Sequence, residues 1–302
     1  MRLNALIIGF GSAGKIHYNL LLKNKGIKKV YVFSRRKNFE KNIFHDYNYI
    51  KFLKFDLVII ATETFDHLKH IKYFEKNFNN KIILVEKPLY IRTLKIHNPK
   101  NKIFVAYNMR FHPIIKNLSR ILLSKEIWSV DIVCSSFLPN WRKDILYNKS
   151  YSSIKKLGGG ALLDLSHELD YGKYLFGRLN VIKSINNKIS NLNINVEDYV
   201  SIIGKYIKGP YLCMKLDLFS RLVRREIFIE GKNISIKGDF VNNTLSVNNN
   251  NKTKKYKWTK NSMENTYRLQ LEALIKGQFN LLCSYNDANN IMKLIDNIRY
   301  EK

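Results

Sequence analysis

The chain opens with short, unbroken apolar runs separated by amphipathic stretches. Ala5-Leu6-Ile7-Ile8 stops at a glycine turn, and Ala13 to Lys23 follows with Ile16, Leu20 and Leu21 on one helical stripe. Val30 to Phe33 reads as a second strand, and Phe55 to Ala61 as a third. Phe65 to Asn77 is helical by spacing, with Leu68, Ile71 and Phe74 three residues apart. Lys81 to Val85 and Lys102 to Ala106 complete the series. Runs such as Val58-Ile59-Ile60 lack the alternation of a half-buried strand. They suit strands covered on both faces, as in a parallel sheet. Strand and helix in repetition predict a doubly wound parallel α/β sheet of the Rossmann type.

After Tyr107 the rhythm changes. Pro113 to Lys125 predicts one helix. Strands then dominate: 129–137, 181–185, 198–206, 211–218, 225–229 and 233–236, with turns at Gly209-Pro210 and Gly231-Lys232. Asn242 to Lys255 reads as a loose hairpin at a sheet edge. Asp287 to Tyr300 is a helix with Ile291, Leu294, Ile295 and Ile298 apolar, capped by Asn286 or Asp287. The pattern predicts a second, α+β domain with a mostly antiparallel, open-faced sheet. The expected division is 1–107 for the nucleotide-binding half, 108–286 for the α+β half and 287–302 for a helix packing back on the body.

At 302 residues the chain is long enough for two such cores, and 45% hydrophobic residues supply them. The net charge of +28 raises a nucleic-acid or membrane-surface partner. The basic residues are dispersed, however, and form no long run. They are read as a solvated surface that draws anionic small molecules, with neither nucleic acid nor membrane as a partner. Cys134, Cys213 and Cys283 are odd in number and lack metal-ligand spacing, so they are read as buried free thiols, with no metal site. Met1 to Ile8 reads as a strand rather than a targeting segment, and no apolar run reaches the roughly 18 residues that span a bilayer. A cytoplasmic setting is the expectation.

The chemistry begins at the first turn. Gly9-Phe10-Gly11-Ser12-Ala13-Gly14 lies between a strand and a helix. In that setting the first glycine permits the turn, the second lets backbone approach a pyrophosphate, and the third lets helix and strand close together. The second strand runs into Ser34-Arg35-Arg36, where an NAD site would carry an acid for the ribose hydroxyls. No Asp or Glu occurs before Glu40. A serine and two arginines suit a 2′-phosphate, so NADP(H) is favoured and NAD(H) is the alternative. Thr62 and His67 follow the third strand, beside the crevice where dinucleotides lie. Val85-Glu86-Lys87-Pro88 ends the next one. A lysine held at a strand end can hydrogen-bond a reacting hydroxyl and its growing oxyanion.

Together these marks resemble the Gfo/Idh/MocA family of glucose–fructose oxidoreductase and inositol dehydrogenase. The likeness rests on Gly9 to Gly14 with His17, Ala61-Thr62 with His67, Glu86-Lys87-Pro88, Asn108 to Pro113 (NMRFHP), Gly158 to Asp164 (GGGALLD) and Ser166 to Asp170 (SHELD). It spans residues 5 to about 175. It implies an NAD(P)-dependent oxidoreductase acting on CH–OH groups of a sugar, cyclitol or sugar nucleotide. It also implies a homo-oligomer built on the open sheet face. Carried over by position, Lys87 is the lysine near nicotinamide and substrate, and Glu86 its neighbour at the cofactor. His167 is the acid/base, with Asp164 or Asp170 as its acidic partner, and Arg110 lies where cofactor and substrate meet. One departure stands out. The common pattern puts histidine four residues after the first aspartate; here His167 is three after Asp164, and Glu168 takes the fourth place as a rival. Trp141-Arg142, on a loop before the triple glycine, suits sugar stacking and an anionic group, and looks similar to members in surface-glycan pathways. The alternatives are a dehydrogenase for a neutral cyclitol or free sugar, and a non-catalytic dinucleotide-binding protein of the same fold.

Overall fold

The computed structural model describes residues 2–35, 43–44, 46–94, 96, 99–142, 145–259 and 262–300. Backbone proximity divides the chain into two units: 1–108 with 267–293, and 109–266 with 294–302. The sequence boundaries did not anticipate this return. The stretch 267–286 was expected with the second half and groups with the first.

In the first unit, β1 (Leu3–Ile8), α1 (Ser12–Leu22), β2 (Ile27–Phe33), β3 (Ile43–Phe44), β4 (Leu57–Ile60), α2 (His67–Asn77), β5 (Ile82–Val85) and β6 (Lys102–Val105) follow one another. The sheet order is β6-β5-β4-β1-β2-β3, every neighbouring pair parallel. The two-residue strand Cys283–Ser284 adds antiparallel to β6. The unbroken apolar runs are explained by this burial. Leu57, Val58, Ile59 and Ile60 are completely enclosed, each contributing about 1.5–3 kcal/mol. The strand order reverses between β1 and β4, and at such a switch point the loops leaving the two strands part to form a crevice.

Helix α2 begins later than its spacing predicted. Thr64–Asp66 forms a 3₁₀ turn, and the helix buries His67, His70, Ile71 and Phe74. Phe65 is exposed. Two histidines replace Leu68 on the core face because their ring nitrogens find partners there, as described below.

The second unit contains α3 (Pro113–Ile121), β7 (Ile127–Phe137), α4 (Ala161–Asp164), α5 (His167–Phe176), β8 (Leu179–Asn187), β9 (Tyr199–Tyr206), β10 (Tyr211–Asp217), β11 (Phe219–Gly231), β12 (Ile234–Asp239), β13 (Thr244–Asn249) and β14 (Lys252–Lys257). Their order is β14-β13-β12-β11-β7-β10-β9-β8. Only β7 and β10 run parallel; the other pairs are antiparallel. One face carries Val130, Ile132, Val200, Ile202, Met214, Ile227, Ile229 and Ile236, all buried. The opposite face leaves Ile203, Tyr211 and Phe228 exposed. The hairpin expected over 242–255 is β13 and β14, with β14 at the edge.

Four further points differ from the sequence expectations. α3 stops at Ile121 and runs on as a 3₁₀ turn to Ser124. A helix the pattern reading did not find, α6, covers Ser262–Ile275. The helix α7 (Tyr285–Tyr300) is capped by Ser284, whose hydroxyl accepts from the Asp287 amide at 3.1 Å. Cys134 and Cys283 are buried, but Cys213 is exposed because it lies on the open face of β10.

Candidate active site

The glycine loop is shaped by contacts that only glycine tolerates. Gly9 has φ +97°, and a Cβ there would lie 2.6 Å from the Ala61 carbonyl oxygen. A Cβ on Gly14 would collide with the Gly9 carbonyl, so α1 can sit this close to β1 only without one. At Gly11 a Cβ would meet nothing within 4 Å. The backbone there borders open space, at the start of a helix with no side-chain cap and no acid in its first turn. These are the features a pyrophosphate requires: uncapped amides, room beside the backbone, and no competing negative charge. Phe10 is buried against Tyr18, and Ser12 and Ala13 open the helix.

Ser34 is buried just beyond β2, and its amide donates to the Phe44 carbonyl at 3.0 Å. Arg35 projects from the surface. Its guanidinium donates to Asp66 at 2.8 Å and lies 3.6 Å from Glu63. Two acids absent from the end of β2 thus arrive from the loop after β4. Sequence proximity to β2 could not reveal them. Arg36 lies outside the described residues.

Around Lys87 the chain is fixed from both sides. Glu86 is buried, and its carboxylate accepts from His17 Nε2 at 2.7 Å and from the Lys87 amide at 3.3 Å. The Lys87-Pro88 bond is cis. His67 is buried with Nδ1 at 3.1 Å from the Pro88 carbonyl and 3.3 Å from that of Leu89. Its Nε2 faces the Thr62 carbonyl at 3.1 Å. Burial pushes the His67 pKa down, while the carbonyls and Glu86 oppose it. His67, expected at the cofactor, has a backbone carbonyl facing each ring nitrogen, and the neutral ring donates to one side. It ties the end of β4 to the loop after β5.

The second unit gathers the remaining candidates. Arg110 donates to both carboxylate oxygens of Asp170, with Nε–Oδ2 at 2.9 Å and Nη2–Oδ1 at 2.6 Å. Both residues are buried, and the guanidinium lies 5.0 Å above the Tyr174 ring. The Asp170 carboxylate therefore orients Arg110. His167 opens α5 half-buried, and Asp164, nearly buried, ends α4. Glu168, the rival to His167, is fully buried and accepts from Arg225 Nε at 2.7 Å. It faces Arg225, Cys134 and Tyr171 beneath the sheet, and burial together with the Glu168 charge pushes the Cys134 thiol up.

Trp141 donates from Nε1 to Ser136 at 3.1 Å, and Arg142 lies 4.5 Å over the Tyr151 ring. Asp164 is the main cause of a raised Tyr151 pKa of about 12, with burial second and Arg142 opposing. Asp164, Tyr151 and Arg142 thus interact electrostatically. The triple glycine is held by residues the sequence reading missed. Glu197 accepts from Arg299 Nε at 3.1 Å and from the Leu162 amide at 3.3 Å, and Arg299 donates to the Gly159 carbonyl at 3.0 Å. Gly160, at φ +115°, leaves the space the Glu197 carboxylate fills.

Among the described residues no helix is long and apolar enough to cross a membrane. No protein-family model matches the chain, and no curated protein matches it in sequence. Solved structures match it in full. Levoglucosan dehydrogenase in complex with NADH aligns over 99% of this chain and 96% of its own, at 18% identity and TM-score 0.83. UDP-N-acetylglucosamine 3-dehydrogenase GnnA from Acidithiobacillus ferrooxidans aligns over 99% and 97%, at 16% identity and TM-score 0.79. A protein described as an NADPH-dependent oxidoreductase, from Desulfitobacterium hafniense, aligns over 98% and 94%, at 13% identity and TM-score 0.81. The fold is that of these oxidoreductase structures: a parallel Rossmann sheet and, in a separate unit, a mostly antiparallel open-faced sheet. The fold class expected from the sequence is borne out.

Proposed function

We propose that this protein is an NAD(P)-dependent oxidoreductase that transfers a hydride between nicotinamide and a carbinol or carbonyl carbon of a sugar-type substrate. The observation that carries the reading is the glycine loop at the β1/β4 switch point, with Lys87 held two strands away at the same C-terminal edge. Gly9 to Gly14 and the opening amides of α1 would hold the pyrophosphate, Ser34 and Arg35 the adenosine ribose, and Thr62 and Glu86 would border the crevice. When bound, the cofactor supplies the hydride acceptor or donor. Lys87 would hydrogen-bond the reacting hydroxyl and stabilise its developing charge. His167 would carry the proton, with Asp164 as its acidic neighbour. The burial of Glu168 against Arg225 favours His167 over it for that role. Arg110, oriented by Asp170, and Trp141 with Arg142 would contact substrate.

The domain roles follow: cofactor on the first unit, substrate on the second, with the open sheet face as the homo-oligomer contact. Levoglucosan dehydrogenase and the UDP-N-acetylglucosamine dehydrogenase support a sugar or sugar nucleotide. Arg142, cationic and beside an aromatic ring, favours an anionic or activated sugar of the kind used in surface glycans. The cytoplasm is the compartment where the cofactor pools would serve it.

The test is NADH and NADPH fluorescence titration followed by turnover over a panel of free sugars, cyclitols and sugar nucleotides. Binding with turnover that falls at least a hundredfold in Lys87→Met is the expected result. Binding without turnover anywhere on the panel would leave a dinucleotide-binding protein of the same fold. An Arg142→Ala variant with unchanged KM would redirect the reading to a neutral sugar or cyclitol.

A further inference from the structure

We infer that His17 is a positioning residue for Lys87, acting through Glu86, and that it joins the helix of the phosphate loop to the lysine. The inference rests on the oxidoreductase reading for what Lys87 does; the linkage itself does not.

His17 sits three residues past Gly14, about one and a half turns into α1. Its side chain is fully enclosed, with the Tyr267 ring edge-on at 5.6 Å. Nδ1 is buried and has no hydrogen-bond partner among the described residues. Burying an imidazole this way costs free energy unless some polar contact offsets it. That contact is Nε2 to Glu86 Oε1 at 2.7 Å. The second oxygen of the same carboxylate accepts from the Lys87 amide at 3.3 Å. One carboxylate therefore bridges the helix and the backbone of the lysine. On the far side, His67 holds the carbonyls of Pro88 and Leu89. Lys87 is bracketed by two buried histidines from two different helices.

The arrangement has a direction. α1 starts at the loop that would take the phosphates, and the His17–Glu86 bond leads from that helix to the backbone of the proposed reacting residue. A histidine that merely filled space would need no carboxylate, and without His17 the nearly buried Glu86 charge would keep, among the described residues, a single hydrogen bond, the long one from the Lys87 amide. The bidentate use of Glu86 is what makes the lysine's backbone depend on residue 17.

Two substitutions separate the possibilities in the intact protein. Gln extends an amide nitrogen about as far as imidazole Nε2; Asn reaches only as far as Nδ1. His17→Asn should speed hydrogen exchange of the Lys87 amide about five- to tenfold, with the β1 and β4 amides unchanged. It should lower kcat about tenfold while KM and the NAD(P)H Kd stay within twofold. His17→Gln should recover most of both. Glu86→Gln should reproduce the exchange effect, because the side-chain amide keeps an acceptor at only one of the two positions that face His17 and Lys87, and a neutral one, so the Lys87 amide bond is lost or weakened. Unchanged Lys87 exchange in His17→Asn and Glu86→Gln overturns the inference. So does loosening spread through the whole first unit, which would make His17 a packing residue only. If the unmodified protein turns over no sugar, the oxidoreductase reading fails while the exchange measurement still decides the linkage.

Discussion

Arg35 shows how one side chain can hold a specificity in balance. It is about two-thirds exposed and paired with Asp66 and Glu63. Such surface pairs contribute about 0–1 kcal/mol, so a 2′-phosphate can compete for the guanidinium, but against two acids. Asp66→Asn should raise the NADPH-to-NADH ratio of kcat/KM by about threefold to fivefold, the factor that such an energy allows. A ratio unmoved by that change and by Arg35→Ala would remove Arg35 from cofactor choice. Tyr151 offers a second check. Its phenol is pushed up to about 12 chiefly by the Asp164 charge. Asp164→Asn should bring it back toward the ordinary value near 10, and Arg142→Ala should move it the other way. Titration of ¹³Cζ-labelled tyrosine reads both directly, and a Tyr151 indifferent to Asp164 would break up the proposed cluster.

The glycine loop makes three chemically identical substitutions differ in outcome. Gly14→Ala collides with the Gly9 carbonyl, and Gly9→Ala strains a positive φ and meets Ala61. Each should cost at least about 1–3 kcal/mol, the usual penalty of overpacking, and lower Tm by several degrees. Gly11→Ala meets nothing in the protein. It should leave Tm unchanged and weaken NAD(P)H binding about tenfold or more, since the methyl occupies space the phosphates need. Equal binding in Gly11→Ala would place the cofactor elsewhere. This turn was readable in advance because its meaning lies within six residues. The same holds for Val58-Ile59-Ile60, whose lack of alternation announces two-sided burial. What could not be read are pairings across long stretches of chain: Arg110 with Asp170, 60 residues away, and Glu197 with Arg299, 102 away. Local spacing carries no trace of either. The family resemblance named Arg110 at the meeting of cofactor and substrate and Asp170 as a possible partner of His167, never as a pair, and Glu197 was passed over. The strand Cys283–Ser284 is too short to give any periodicity, so the return of the chain to its first sheet went unseen.

Acid should test both units at once. His70 in the first and His112 in the second are held neutral by burial, each with a pKa of about 4. His112 accepts from the Ile114 amide at the start of α3 and faces Asn243, and a proton on the accepting nitrogen would break that cap. The unfolded chain takes up these protons near pH 6.5, before the folded one does. The stability they contribute is present above that pH and is lost as pH falls from about 6.5 to about 4. Each shift is worth on the order of 3 kcal/mol. Calorimetry between pH 7 and 4.5 should show Tm falling, and His112→Asn, with a non-titrating cap, should flatten part of the decline. A Tm indifferent to pH over that range would mean these rings are more open to water than the structure has them.

The antiparallel strand at Cys283–Ser284 has a consequence for synthesis. A growing chain emerges from its N-terminus and begins to fold as it goes. β6 is complete by Val105, yet the strand that flanks it is made some 180 residues later, after all of β7 to β14. During that interval β6 presents a bare sheet edge, the kind of surface that recruits foreign strands. For this protein the vulnerable moment is the wait on the ribosome, and chaperone contact should concentrate on nascent chains between those two lengths.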